Sequence, residues 1–134
     1  MKSRIPFVLA VAVVVAIGLT SRYREGVSEH ISVLRKIHSS QSLFWRNNGR
    51  YARSFAEMQS GGNFPASLAD GRISGYTFTL LVDPVKPYWI AYCEPDDRAA
   101  FSFCITQGGT IYTGRGPLKS PSADVLPPGV TKFL

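Results

Sequence analysis

Residues that carry enzyme chemistry or bind metals are scarce in this sequence of 134 residues, which has two cysteines and two histidines. His30 and His38 are too far apart along a helix to share one metal ion, and two sulfurs without a nearby histidine do not complete a tetrahedral zinc site. Neither a Gly-x-Ser-x-Gly nucleophile motif nor a phosphate-binding loop is present. We therefore expect a non-enzymatic protein with no catalytic residues, no metal site and no cofactor.

Charged residues are also few, at 18% against 45% hydrophobic residues, and this balance excludes a disordered chain. The length suits a single domain. The net charge is +6 at pH 7, and +4 once Lys2 and Arg4 are set aside. This mild excess does not by itself indicate a nucleic-acid-binding protein.

Charge is missing altogether from residues 5–19, IPFVLAVAVVVAIGL. As a helix this segment would be about 22 Å long, shorter than the hydrocarbon core of about 30 Å. A basic start followed by an apolar centre and small residues is typical of a secretory signal peptide, whereas Tyr23 at the interface and a snorkelling Arg22 would complete a retained membrane anchor. Both interpretations of residues 1–26 place the rest of the chain outside the cytoplasm.

Apolar residues recur with helical spacing after this segment, and Asn47-Asn48-Gly49 is a typical helix end. The residues expected on the buried side of this helix are Val27, Ile31, Leu34, Ile37, Phe44 and Trp45. A short helical turn within residues 50–58 and then strands at residues 75–82, 88–93, 101–106 and 110–113 are expected from apolar alternation and turn residues. The fold class is therefore α+β over residues 27–116, a long N-terminal α-helix packed on a three- to four-stranded antiparallel sheet. Residues 117–134 contain four of the nine prolines and are expected to form an extended tail or a loose wrap over this domain.

Cys93 and Cys104 lie in consecutive predicted strands. A hairpin centred between Arg98 and Ala99 would place the two residues side by side, at a distance that suits a disulfide. Two free, buried thiols are the alternative. An exported chain with an even number of cysteines favours the disulfide.

Aromatic and arginine residues are concentrated around the helix end. Trp45, Arg46, Arg50, Tyr51 and Arg53, with Phe55 beyond them, make the densest such cluster in the chain. This combination suits contact with single-stranded nucleic acid or with an acidic partner. Packing of the rings against the sheet, with arginines projecting between them, is the interpretation we prefer.

Three segments together are similar to the type IV pilins and pseudopilins: the helix and its exit ISVLRKIHSSQSLFWRNNGRYA, the strand SGYTFTLLV and the hairpin FSFCITQGGTIY. The resemblance rests on their order and spacing. It implies a ladle-shaped, pilin-like subunit whose N-terminal helices pack in a filament, with the sheet facing outward. The residues that would form this membrane or filament helix are Phe7, Val8, Leu9, Val11, Val13, Val14, Val15, Ile17 and Leu19. Prepilins carry a Gly before the cleaved bond and a Glu within the apolar helix. Here no Gly precedes Phe7 and residues 5–19 lack Glu, so the chain resembles a diverged member without the usual prepilin peptidase motif.

The function implied is a structural or assembly subunit of a type IV pilus, a type II secretion system or a related filament. Its partners would be other pilin-like subunits, through the N-terminal helix, and the membrane. Its location would be the bacterial cell envelope, anchored in the inner membrane, or an extracellular filament. The alternative is a binding module of the same fold, secreted or periplasmic after signal peptide cleavage, which holds DNA or an acidic partner.

Overall fold

The structure is a computed structural model that describes residues 29–60, 64–97, 100–118, 120 and 122–133. The chain divides into two compact units, Met1–Ser32 and Val33–Leu134. Only residues 29–32 of the first unit are described, and they are helical. The expected anchor or signal segment, residues 1–26, lies outside the described residues. In the part of the chain that is described, no helix combines the length and the apolar character that a membrane span requires.

The first helix, α1, is described over residues 29–48. Within the second unit Leu34, Ile37 and Phe44 are buried, which confirms the amphipathic pattern. Trp45 was expected on the same side, and this was wrong: its side chain is 41% exposed. One residue after Phe44 is a step of about 100° around a helix, which carries Trp45 past the edge of the buried stripe.

Gly49 ends α1 as predicted. Its φ is 71°, a left-handed conformation that glycine adopts without a steric cost, and its N–H donates to the Trp45 carbonyl at 2.8 Å. A second helix, α2, follows at Phe55–Ser60, and a short 3₁₀ helix covers Ala66–Asp70.

Six antiparallel strands form one sheet in chain order: β1 Arg72–Ile73, β2 Tyr76–Val82, β3 Trp89–Pro95, β4 Phe101–Thr106, β5 Ile111–Arg115 and β6 Thr131–Lys132. The α+β class and the antiparallel meander are confirmed. The expected count of three to four strands was wrong, because β1 and β6 have two residues each and are too short to show an alternating pattern.

The two faces of the sheet are buried by different parts of the chain. Helix α1 lies on one face, where the His38 and Trp89 rings are 5.8 Å apart and His38 Nε2 donates to the Gln107 carbonyl at 3.0 Å. This face carries two rows of paired residues: Phe78, Cys93 and Phe103 in one, and Leu80, Ala91, Ile105 and Ile111 in the other.

The opposite face is covered by the described residues of the segment after β5, which are 117, 118, 120 and 122–130. Leu118 is buried with Ile90 and Cys104, and Val130 packs against this cluster. Gly114 allows the close approach, since a Cβ atom there would lie 3.3 Å from Val130 Cγ1 and 3.4 Å from Leu118 Cδ2. The proline-rich segment thus supplies part of the core as well as strand β6.

Cys93 and Cys104, for which a disulfide is expected, are free, buried thiols in the structure. Strand β3 pairs with β4 so that Cys93 faces Phe103 and Tyr92 faces Cys104. This register is one residue away from the expected pairing of Cys93 with Cys104. Since neighbouring residues of a strand point to opposite faces, the one-residue difference places the two thiols on opposite sides of the sheet.

Candidate functional site

Three aromatic rings lie in contact near the end of α1: Trp45 on the helix, Tyr51 after it and Trp89 at the start of β3. The Trp45 and Tyr51 ring centroids are 4.6 Å apart, and Tyr51 meets the buried Trp89 ring edge-on at 6.3 Å. The turn at Gly49 brings Tyr51 back beneath Trp45. An exposed ring is thereby held in a defined position by contacts that reach the core, which is the usual construction of an aromatic recognition surface.

The arginines of the same cluster differ in what they contact. Arg50 donates to Glu57 Oε1 at 2.6 Å and lies 5.2 Å above the Phe44 ring centroid. The Glu57 carboxylate also accepts from the Arg53 backbone N–H at 3.0 Å. The hydrogen bond from Arg50, followed by the one from the Arg53 backbone, lowers the pKa of Glu57. Both arginine side chains are exposed, and the Arg50 charge is balanced by the Glu57 carboxylate.

Residues 83–88 form the turn from β2 to β3 and lie opposite this cluster. The Asp83 carboxylate accepts from the backbone N–H groups of Val85 at 2.9 Å and Lys86 at 2.7 Å, and these two bonds lower its pKa. Pro84 and Pro87 restrict the backbone further. The result is a rigid turn whose tip is Val85, a side chain that is 90% exposed.

A cleft of about 150 Å³ separates the helix exit from this turn. We call it the tryptophan cleft, and its walls include Trp45, Tyr51, Arg53, Val85 and Lys86. Aromatic and aliphatic surfaces here lie beside three exposed cationic side chains, Arg50, Arg53 and Lys86, and one carboxylate, Asp83, which accepts from backbone N–H groups. This arrangement suits a ligand that is both apolar and anionic.

The structure brings together only part of the predicted cluster. Trp45, Arg50, Tyr51 and Arg53 all line the tryptophan cleft, whereas Arg46 is exposed on α1 and does not. Phe55 stacks on Phe64 with centroids 5.9 Å apart. Some members of the cluster therefore pack inside the protein and others line the cleft. A turn between the strands at residues 83–88 is expected from the sequence, but its position opposite this cluster is not.

The structural role of Gln41 is also not predicted from the sequence. Its side chain is fully buried, donates from Nε2 to the Ala52 carbonyl at 2.9 Å and accepts at Oε1 from the Ala52 N–H at 2.8 Å. These two bonds fix the chain that leaves α1 toward Tyr51. The available signal was its spacing, because Gln41 follows Leu34 and Ile37 and precedes Phe44 on the buried stripe.

The other titratable groups of the described residues include two buried thiols and an exposed ion pair. Burial raises the pKa of Cys93 to about 12 and that of Cys104 to about 11, so both thiols are protonated at neutral pH. Asp96, beside the turn after β3, pairs with Arg72 at 2.6 Å. Among the described residues, no three of His, Cys, Asp and Glu are grouped so that they could hold a metal ion.

Comparison with known proteins gave no match: no protein-family model, curated protein or solved structure is significantly similar to this chain.

Proposed function

We propose that this protein is a non-enzymatic, pilin-like subunit of the bacterial cell envelope, part of a type IV pilus, a type II secretion system or a related filament. The observation that carries the proposal is the order of the fold: within the described residues an amphipathic helix comes first and lies on one face of an antiparallel meander. The uncharged residues 5–19 precede that helix in the sequence. In this proposal the apolar segment anchors or assembles the subunit, and the sheet forms the exposed head.

Fractionation of cells that express the full chain tests this proposal. We expect the full chain in the membrane or filament fraction, with its mature N-terminus upstream of the apolar segment or within its first residues. The substitution Val13→Arg should release the protein, since a charge at the centre of an apolar helix costs about 2.5 to 3.5 kcal/mol on insertion scales. Val13→Leu is the matched control and should leave the distribution unchanged.

A mature protein that starts near Leu19 or later and stays soluble and monomeric would contradict the assembly role. That result would favour the second candidate function, a secreted or periplasmic binding module of the same fold. The tryptophan cleft is the observation that supports this candidate, because it places exposed aromatic rings beside exposed cations.

DNA binding by such a module has a direct test. A gel-shift assay compares the protein with a variant in which Arg46, Arg50 and Arg53 are changed to Ala. Contacts to phosphates predict a shift that is lost in the variant and that weakens steeply with salt. Equal shifts for both proteins, or no shift in moderate salt, would exclude DNA as the partner of this cluster.

A further inference from the structure

A second cleft lies on the other side of the turn at residues 83–88. Its volume is about 330 Å³, and we call it the tyrosine cleft because Tyr88 and Tyr112 stand in its walls. Ile90 forms part of the sheet wall, and the facing wall comes from Val125 and Leu126. The size is at the small end of the range for ligand clefts, about 300 to 1,000 Å³.

The facing wall is held in place by its own hydrogen bonds. Ser120 Oγ donates to the Val125 carbonyl, and the Val125 N–H donates to the Ser122 carbonyl at 3.3 Å. Ser122 Oγ donates to Asp124 Oδ1 at 2.5 Å. The carboxylate of Asp124, which is the one acidic group among the described residues of the cleft walls, thus already accepts a hydrogen bond within the segment.

The exposed apolar side chains of the protein gather around these two clefts. Six large apolar side chains are exposed in the part of the chain that the structure describes, and five of them line one cleft or the other: Trp45, Val85, Tyr88, Val125 and Leu126. Lys86 contributes to the walls of both clefts, so the two are adjacent across the turn. Contiguous exposed apolar surface with a polar rim marks sites of protein association.

Charge indicates which kind of partner fits. The described walls of the two clefts carry three cations, Arg50, Arg53 and Lys86, and two carboxylates, Asp83 and Asp124, so that the cations are in excess by one. A second copy of the chain would bring a net charge of +6 against a surface that is already cationic. An acidic partner gains attraction at the same place.

We propose that the tryptophan cleft and the tyrosine cleft form one docking surface for an acidic segment of another protein, with apolar side chains seated in the two clefts. The turn at residues 83–88 separates the two seats, and Lys86 lies between them to meet a carboxylate. All the residues involved belong to the second unit, so the surface does not depend on how residues 5–19 are used.

The test uses the full chain in a mild detergent and three fluorescein-labelled peptides, with micelles alone as the baseline. The first peptide alternates glutamate with leucine, the second alternates glutamate with serine, and the third alternates lysine with leucine. Fluorescence anisotropy should show saturable binding of the first peptide, weaker binding of the second and none of the third. Binding should weaken as salt is raised, because exposed charges are screened.

Variants locate the binding site. The double variant Arg53→Glu with Lys86→Glu should weaken binding of the first peptide about tenfold, since attraction becomes repulsion. Arg35→Glu with Lys36→Glu changes the net charge equally, at exposed positions of α1 outside both clefts, and should alter affinity less than about twofold. Val85→Ser removes the most exposed apolar side chain and should weaken binding about threefold without changing thermal stability.

Three results would overturn the inference. The first is equal binding by the two charge-reversal variants or no binding of the acidic peptide. The second is binding of labelled oligothymidylate more tightly than the acidic peptide, which would assign the surface to nucleic acid. The third is self-association that is lost in Val85→Ser, which would assign it to a second copy of the chain. None of these results bears on the fractionation of Val13→Arg, so the pilin-like proposal succeeds or fails separately.

Discussion

A single buried amide connects helix α1 to the chain that forms the tryptophan cleft. Gln41 satisfies both backbone groups of Ala52, and both residues are fully buried. A buried polar group that loses its partner costs about 1 to 3 kcal/mol, whereas the net gain from an intact hydrogen bond is smaller. The position is therefore far more sensitive than the exposed glutamines and asparagines of the chain.

The substitution Gln41→Leu keeps the side-chain volume and removes both hydrogen bonds. We expect it to lower the free energy of unfolding by roughly 2 to 4 kcal/mol, because the Ala52 N–H and carbonyl are then buried without partners. Urea unfolding followed by the fluorescence of buried Trp89 measures the change. Gln59→Leu, at an exposed position of α2, is the control and should change stability by less than about 0.5 kcal/mol. A loss below about 1 kcal/mol in Gln41→Leu would show that water replaces the amide.

The reactivity of the two cysteine thiols tests the observed register of β3 and β4. Their pKa values of about 12 and about 11 leave well under about one thiolate in a thousand at neutral pH, and both side chains are buried. We expect neither thiol to react with a disulfide reagent in the folded protein, and both to react in guanidinium without prior reduction. Reductant should leave the melting temperature unchanged. A denatured, unreduced chain with no reactive thiols would instead support the disulfide and a one-residue shift of the register.

At the level of elements, the long strands were predictable and their register was not. Strands β2 to β5 begin and end within two residues of the expected positions, because apolar alternation and the turn residues between them are local signals. The pairing of β3 with β4 depends on how the connecting turn is folded. The number of residues in that turn decides whether Cys93 and Cys104 lie on the same face of the sheet, and composition does not encode this number.

The proline-rich segment was ambiguous for a different reason. Prolines remove both periodicity and backbone donors, so residues 117–134 show no pattern that separates a free tail from a wrap. The docked position of this segment is decided by Leu118, which is 3% exposed between Ile90 and Cys104, and by the missing side chain of Gly114. Neither contact is visible from local sequence, since both join residues far apart in the chain.

This packing predicts a large effect at one leucine of the segment and a small effect at another. Leu118→Ala should lower the free energy of unfolding by about 2 to 5 kcal/mol, because it leaves a cavity against the sheet. Leu126→Ala removes the same atoms from a side chain that is 38% exposed and should cost less than about 1 kcal/mol. Urea unfolding of the two variants makes the comparison. Equal losses would show that residues 117–130 do not pack on the sheet in solution.

For the whole molecule, the dominant electrostatic feature is an excess of cations, and three of the nine carboxylates hold parts of the fold together. Glu57 bonds Arg50 and the Arg53 backbone, Asp83 bonds its own turn, and Asp96 pairs with Arg72. Protonation of the nine carboxylates would raise the net charge from +6 to +15, before the histidines are counted. Acid therefore removes local bonds and adds repulsion over the whole surface.

The direction of the pH dependence follows from the pKa values of Glu57 and Asp83. Both are lower in the folded protein than in the unfolded chain, so each carboxylate stabilises the fold above its unfolded pKa, near about 4, and loses that contribution as pH falls through the folded pKa. We expect a melting temperature that is nearly constant between about pH 6 and 5 and falls below about pH 4.5. Circular dichroism melting curves measure it, and added salt should recover part of the loss in acid.

Glu57→Gln should lower the melting temperature at neutral pH and flatten its fall in acid, whereas Asp70→Asn, at the exposed end of the 3₁₀ helix, should follow the unmodified protein. A melting temperature that rises as the pH is lowered from about 6 to 3 would mean that buried groups other than these carboxylates control stability in acid.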